Sequence, residues 1–365
     1  MMWRKACLDS LRKSWGQARE YNATLTDGTK VRALAYVPQV GEPEIGDTVL
    51  VSYAALARGL GTGGYAIVVA NLDRLPADPP PGPGHLMKAR YTPAQFMVLG
   101  ADDPESPHHE LLQDADSING MPVVVADLHS ALPAVVATIR ETHPQARIAY
   151  VMDDGGALPA WFSQIAYQLT SAGDILGTIT CGQAYGGELE AVNVHTALLA
   201  AHLVWQADVA IVAQGPGNLG TGTRWGFSGV SVAAALDATT TLGGKSIVCV
   251  RMSNADMRSR HYGISHHTLR VLHDAVHSPC AVPLPRNTAA EPLCQEISTS
   301  AWQKVAQQAA QLPAHAQQIT VDSRGLTDVL ENTTAPLRTM GRGLHEDPLA
   351  FLAAAAAGRY CASLL

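Results

Sequence analysis

Residues 251–267 read RMSNADMRSRHYGISHH and gather Arg251, Arg258, Arg260, His261, His266 and His267 into one short stretch. A guanidinium forks onto two oxygens and so suits a phosphate or a carboxylate. Histidine carries protons near neutral pH or ligates a metal. A bland reading stands beside this one. Ser265 is placed as an N-cap, and His266 and His267 would then only serve the first helical turn. Adjacent histidines on a helix also point in different directions, which argues against both meeting one metal ion.

A second stretch, Asp208–Gly229, reads DVAIVAQGPGNLGTGTRWGFSG. Ala210–Ala213 is an apolar run of the kind buried on both faces. The glycine-rich loop after it is longer than a plain connection needs. Gly215, Gly217, Asn218, Gly220, Thr221, Gly222 and Thr223 are its candidate ligand contacts. Strand, glycine loop and helix together present backbone N–H groups to an anion. The loop lacks the GK[ST] ending of a Walker loop and the spacing of a GxGxxG fingerprint, so no motif supports a nucleotide or organic cofactor.

Further candidates follow other predicted strands. Asp153-Asp154 suits Mg²⁺ carboxylates or a general base, although Asp and Gly also begin ordinary turns. Gln183 and Glu188 follow the next strand, and Glu188 is expected to open a helix. Asp127-Leu128-His129 can place His129 against a ligand. Cys181 reads as an inert buried thiol. His266, His261, Asp153 and Glu188 are thus the catalytic candidates. Arg258, Arg260, Gln183 and His129 join the loop as ligand-binding candidates.

These groups need a scaffold that brings them together. From about Ser117 short apolar strands alternate with helical stretches, including Pro122–Ala126, Arg147–Met152, Ile175–Cys181, Asp208–Gln214, Lys245–Met252 and Cys280–Leu284. Such alternation specifies an α/β domain with a mostly parallel, doubly wound sheet and helices on both faces. In open parallel sheets ligands bind beyond the carboxyl ends of the strands, and nearly all the candidates fall there. Residues 1–107 are different, with short strands and tight turns that suggest a small β-barrel or sandwich. The expected organisation is residues 1–107 as a β-rich domain and 117–365 as the α/β domain carrying the site. The Gly59–Gly64 loop lies between β segments and reads as a tight connection. Ala353–Ala357 falls in a C-terminal helix.

Composition limits the partners. The 365 residues are 47% hydrophobic and 16% charged, with a net charge of −7, so the chain folds and nucleic acid is disfavoured. The six cysteines form no CxxC pair and suit a reducing cytoplasm. The basic N-terminus lacks the apolar core of a signal peptide, and no run is long enough for a spanning helix.

The strings LGTITCGQAYGGELEAV, IVAQGPGNLGTGTRWGFSG and RMSNADMRSRHYGISHHT resemble the signature blocks of a bacterial family, domain of unknown function 3866. GDTVLVSYAALARGLGTGGYAIVVA and GHLMKARYTP resemble its N-terminal blocks. The resemblance runs from about Tyr21 to Pro285 and implies no activity. Residues beyond Pro285 read as a family-variable tail. The residues themselves favour an enzyme, of hydrolase or transferase type, on a small anionic metabolite. A ligand sensor without chemistry and an oligomeric assembly protein are the alternatives.

Overall fold

A computed structural model describes residues 1–61 and 63–365. Thr62, within the expected Gly59–Gly64 connection, lies outside the described residues. The chain falls into two compact units, Met1–Val98 and Leu99–Leu365.

The first unit is a closed five-stranded barrel. Its strands are β1 (Trp3–Trp15), β2 (Ala18–Leu25), β3 (Lys30–Tyr36), β4 (Thr48–Ser52) and β5 (Ala66–Asn71), in the order β1-β2-β3-β5-β4. All pairs are antiparallel except β3 with β5, and β4 closes back onto β1. Leu8, Tyr21, Ala23, Ala33, Val49 and Val68 fill the interior. Several alanines there let the wall close tightly. On the wall, Glu20 is buried but satisfied, accepting from Arg12 Nε at 2.9 Å and Tyr65 Oη at 3.1 Å. A small antiparallel pair, β6 (Leu86–Lys88) and β7 (Phe96–Val98), follows a proline-rich stretch.

The second unit holds eight parallel strands, β8 (Pro122–Ala126), β9 (Ile148–Asp153), β10 (Thr178–Thr180), β11 (Leu189–Glu190), β12 (Val209–Gln214), β13 (Lys245–Cys249), β16 (Cys280–Pro285) and β17 (Ala316–Val321). A separate small ribbon joins β14 (Met252–Ser253) to β15 (Gly263–Ile264). The sheet order is β11-β10-β9-β12-β8-β13-β16-β17. The chain leaves β8 in one direction, returns through β12, and then crosses to β13 on the other side. The winding therefore reverses around β8, and the carboxyl ends of β12, β8 and β13 border the crevice where such sheets bind ligands.

Val123, Val124, Ile211, Val212 and Ile247 are fully buried, as strands covered on both faces require. The helices Leu132–Thr142, Leu326–Glu331 and Pro348–Ala362 pack together, and Val194–Leu199 packs with Val232–Thr241. The Pro348–Ala362 helix is almost wholly buried because its apolar residues run all round it. At Gly358 it comes so close to the Leu132–Thr142 helix that a Cβ there would lie 2.2 Å from Thr138 Oγ1 and 2.4 Å from the Val135 carbonyl oxygen.

One local expectation is corrected, at Glu188, and two other segments take irregular forms. The basic N-terminus is a thirteen-residue strand whose outer face is polar and whose alternation is broken by bulges near Ser10 and Lys13. Glu188 does not open a helix; β11 follows directly, and the helix begins at Val194 under an Asn193 cap. The 157–171 stretch is helical only over Ala160–Phe162 and Gln164–Ser171, with Ser163 capping the second piece.

Candidate functional site

Asp127 follows β8 and lies at the centre of the sheet's carboxyl edge. It is 6% exposed. Its Oδ1 accepts from Asn218 Nδ2 at 2.6 Å. Its Oδ2 accepts from Arg251 Nη1 at 2.9 Å and from His267 Nδ1 at 3.1 Å. Burial alone would raise the Asp127 pKa, but the His267 hydrogen bond and the Arg251 charge hold it below the usual carboxylate range. Arg251 Nη1 also lies 3.1 Å from His267 Nδ1. A guanidinium only donates and a carboxylate only accepts, so Nδ1 can serve only one of them: protonated, it donates to Asp127 and leaves the lone pair on Nε2; unprotonated, it accepts from Arg251.

The helix that follows the glycine loop begins with a turn at Ser228–Ser231. The carboxylate at this turn is the protein's own. A Cβ at Gly229 would lie 1.7 Å from Asp127 Oδ1, so only glycine fits against it. The loop itself folds into a small hairpin. Thr221 N–H donates to the Gly226 carbonyl at 2.7 Å, and Leu219 N–H donates to Ser228 Oγ at 3.0 Å. Gly217 and Gly220–Thr223 remain exposed, while Gly215 is buried. Phe227 closes the hairpin and stacks on His267, with ring centroids 4.0 Å apart.

The Arg251–His267 segment bends back on itself through β14 and β15, which brings His261 onto His266 and His267. Ring centroids lie 5.0, 5.0 and 4.5 Å apart in the three pairs. One ring nitrogen of each lies within 4.8 Å of the others. The expected divergence of adjacent histidines does not hold here: in the first turn of the His266–Asp274 helix their ring centroids lie 4.5 Å apart. Ser265 caps that helix by accepting from His267 N–H at 3.2 Å, and its Oγ also lies 2.8 Å from His261 Nδ1. Burial, with neighbouring arginines, pulls the His261 pKa down to about 3 and that of His266 to about 4. His266 Nε2 is buried with no hydrogen-bond partner among the described residues.

The two other arginines differ. Arg258 spends its fork on Asp256, at 2.9 and 2.7 Å. Arg260 is exposed and makes no hydrogen bond or ion pair among the described residues. Its guanidinium would lie 3.9 Å from a Cβ at Gly222, and its charge acts on His266.

Other candidates fall elsewhere. His129 is a saturated core residue: Nδ1 meets Tyr150 Oη at 3.0 Å and Nε2 meets Ser163 Oγ at 2.7 Å. Burial lowers its pKa to about 4. Glu188 Oε2 accepts from Thr178 N–H at 2.6 Å, at the amino end of β10 and so on the opposite edge. Asp153 ends β9 beside Gln214 of β12, and burial raises its pKa. Cys181 Sγ lies 3.6 Å from Asp153 Oδ1. Asp154 closes a turn by accepting from Gly156 and Ala157 N–H, and its Oδ2 takes the Gln183 N–H at 3.1 Å.

Sequence reasoning missed what holds the histidine segment. Asp347, fully buried, accepts from Ser253 Oγ at 2.7 Å, Asn254 N–H at 2.9 Å and Arg342 Nε at 3.0 Å. Gln308 takes both backbone groups of Ile264, at 2.8 and 2.9 Å. Both come from residues beyond Pro285, so that part of the chain positions the site.

A parallel sheet with a buried Asp–Arg–His network at its switch point defines an α/β domain with a built polar site. The chain matches, over residues 32–358, the family described as protein of unknown function (DUF3866), and it belongs to that family. The match includes most of the residues after Pro285, which are family sequence rather than a variable tail. No curated protein and no solved structure matches the chain. Among the described residues no helix is long and apolar enough to cross a membrane.

Proposed function

We propose that the second unit is an enzyme, of hydrolase or transferase type, acting on a small anionic molecule that bears a phosphate or carboxylate. Arg260 carries this reading. It is a guanidinium without a hydrogen bond or ion pair among the described residues, it lies near Gly222, and its charge acts on His266. Arg251 and Arg258 are committed to Asp127 and Asp256 and only shape the surroundings. An anion on Arg260 would also meet the backbone N–H groups of the exposed Gly222 and Thr223, in the manner of other glycine-loop anion seats, while Thr221 N–H stays on the Gly226 carbonyl. The histidine cluster adjoins that position, and reaction chemistry is assigned to it. The anion's place is thus on the hairpin and Arg260, away from the first helical turn that Asp127 occupies.

The test is a thermal-shift and turnover screen of the full chain against phosphate monoesters, inorganic phosphate and di- and tricarboxylates. A compound that stabilises the protein should lose that effect in Arg260→Gln, while far-UV circular dichroism stays unchanged. Stabilisation of equal size in Arg260→Gln removes Arg260 as the anion's seat. A stabilising compound recovered unchanged under every condition favours the sensor reading.

A further inference from the structure

We propose that His261, His266 and His267 together hold one divalent transition-metal ion of the zinc class, with an open coordination position toward Arg260 and Gly222. This rests on the reading above only for the identity of the neighbouring anion.

The geometry supplies three arguments. First, the donors converge: one nitrogen from each ring lies within 4.8 Å of the others, and small side-chain rotations would bring them to ligand spacing around one ion. Second, the outer nitrogens already have partners of the kind metal sites use. With Nδ1 protonated, His267 donates to Asp127 in the carboxylate–histidine arrangement that orients a ligating imidazole and raises its basicity, and Arg251 Nη1, 3.1 Å from the same nitrogen, is then a neighbour and not its hydrogen-bond donor. Ser265 Oγ faces Nδ1 of His261 at 2.8 Å and has a lone pair to take its proton, which frees Nε2. Third, His266 Nε2 is buried without a partner, which a polar atom rarely tolerates unless a ligand completes it.

The donor set selects the metal. Three imidazoles suit zinc, cobalt, nickel or copper, whereas magnesium demands oxygen ligands. Three protein ligands with a free position are the pattern of catalytic rather than structural zinc. His261 and His267 are 3% and 8% exposed, while His266 is only partly buried, so the cluster opens on the side of Arg260. A phosphate or carboxylate oxygen entering there would meet the ion and the guanidinium together. Asp127 then acts as a positioning residue for the metal through His267.

The experiment uses the full chain stripped with a chelator and titrated with Co²⁺ alone. One equivalent should bind, giving the visible absorption of a low-coordinate nitrogen site, and Zn²⁺ should displace it. His266→Asn, at a partly buried position that tolerates change, should abolish the band. Asp127→Asn, keeping the same shape, should weaken the affinity about 10–100-fold. Arg260→Gln should keep the band and lose only the response to anions, so the metal site and the anion reading fail separately. No uptake of Co²⁺ or Zn²⁺, uptake without the band, or an unchanged band in a folded His266→Asn protein would overturn the assignment.

Discussion

Replacing Asp127 by alanine tests the network at the sheet's centre. The side chain accepts from Asn218, Arg251 and His267, at 2.6, 2.9 and 3.1 Å. The Arg251 side chain is 9% exposed, and Asp127 is its only ion-pair partner among the described residues. Asp127→Ala therefore leaves a guanidinium nearly buried and uncompensated, for which about 3–5 kcal/mol is expected. Removing both charges in Asp127→Ala/Arg251→Met takes away the stranded group, so most of that loss should return as a coupling of at least about 2 kcal/mol. Native-state hydrogen exchange by mass spectrometry reads this in the full chain, using peptides from β8, β12 and β13. Protection there should fall by roughly two to nearly four orders of magnitude in the single variant and recover in the double. If the double variant loses the sum of the two single losses, the pair is uncoupled and Asp127 is not the hub described here.

Two further outcomes follow from other parts of the second unit. Gly358→Ala should destabilise by about 1–3 kcal/mol through overpacking, although alanine favours a helix interior by about 1 kcal/mol, because the clash is partly with the Val135 backbone; a urea midpoint at or above wild type would contradict the close crossing. His129 is held neutral in the fold, its pKa pulled from 6.5 to about 4, so the unfolded chain binds more protons in between and stability falls as pH drops through that range. Relative to His129→Gln, the wild type should lose on the order of 2–3 kcal/mol between pH 7 and 4.5, and parallel stability-versus-pH curves for the two would count against it.

The α/β architecture was legible because doubly covered strands leave little doubt. Val123–Val125 and Ala210–Ala213 are unbroken apolar runs between helical stretches, and both are central strands. The first barrel strand was not legible. Its residues alternate imperfectly, because two bulges shift the inward side and charged residues cover the outer face. The secondary structure at Glu188 was misread for a related reason. An acid before a helix is common, but an acid that clamps the amino end of the short strand β10 gives no periodic signal.

The site was legible as an edge and illegible as a network. Strand-end position brought Asp127, Asp153, the glycine loop and the arginine–histidine segment to one side of the sheet. It could not tell which arginine lacks a partner among the described residues, because that depends on short-range contacts: Asp256 sits two residues before Arg258 and engages it, whereas Arg260 lies near Gly222. Nor could it place His261 against His266 and His267, since the β14–β15 turn-back that brings them together leaves no periodic signal. That turn-back is held from outside, by Asp347 on Ser253 and Gln308 on Ile264, across separations of 94 and 44 residues. The long contacts explain why the chain after Pro285 belongs with the site. Histidines that must converge on one point need a rigid frame, and this frame is supplied by the chain after Pro285.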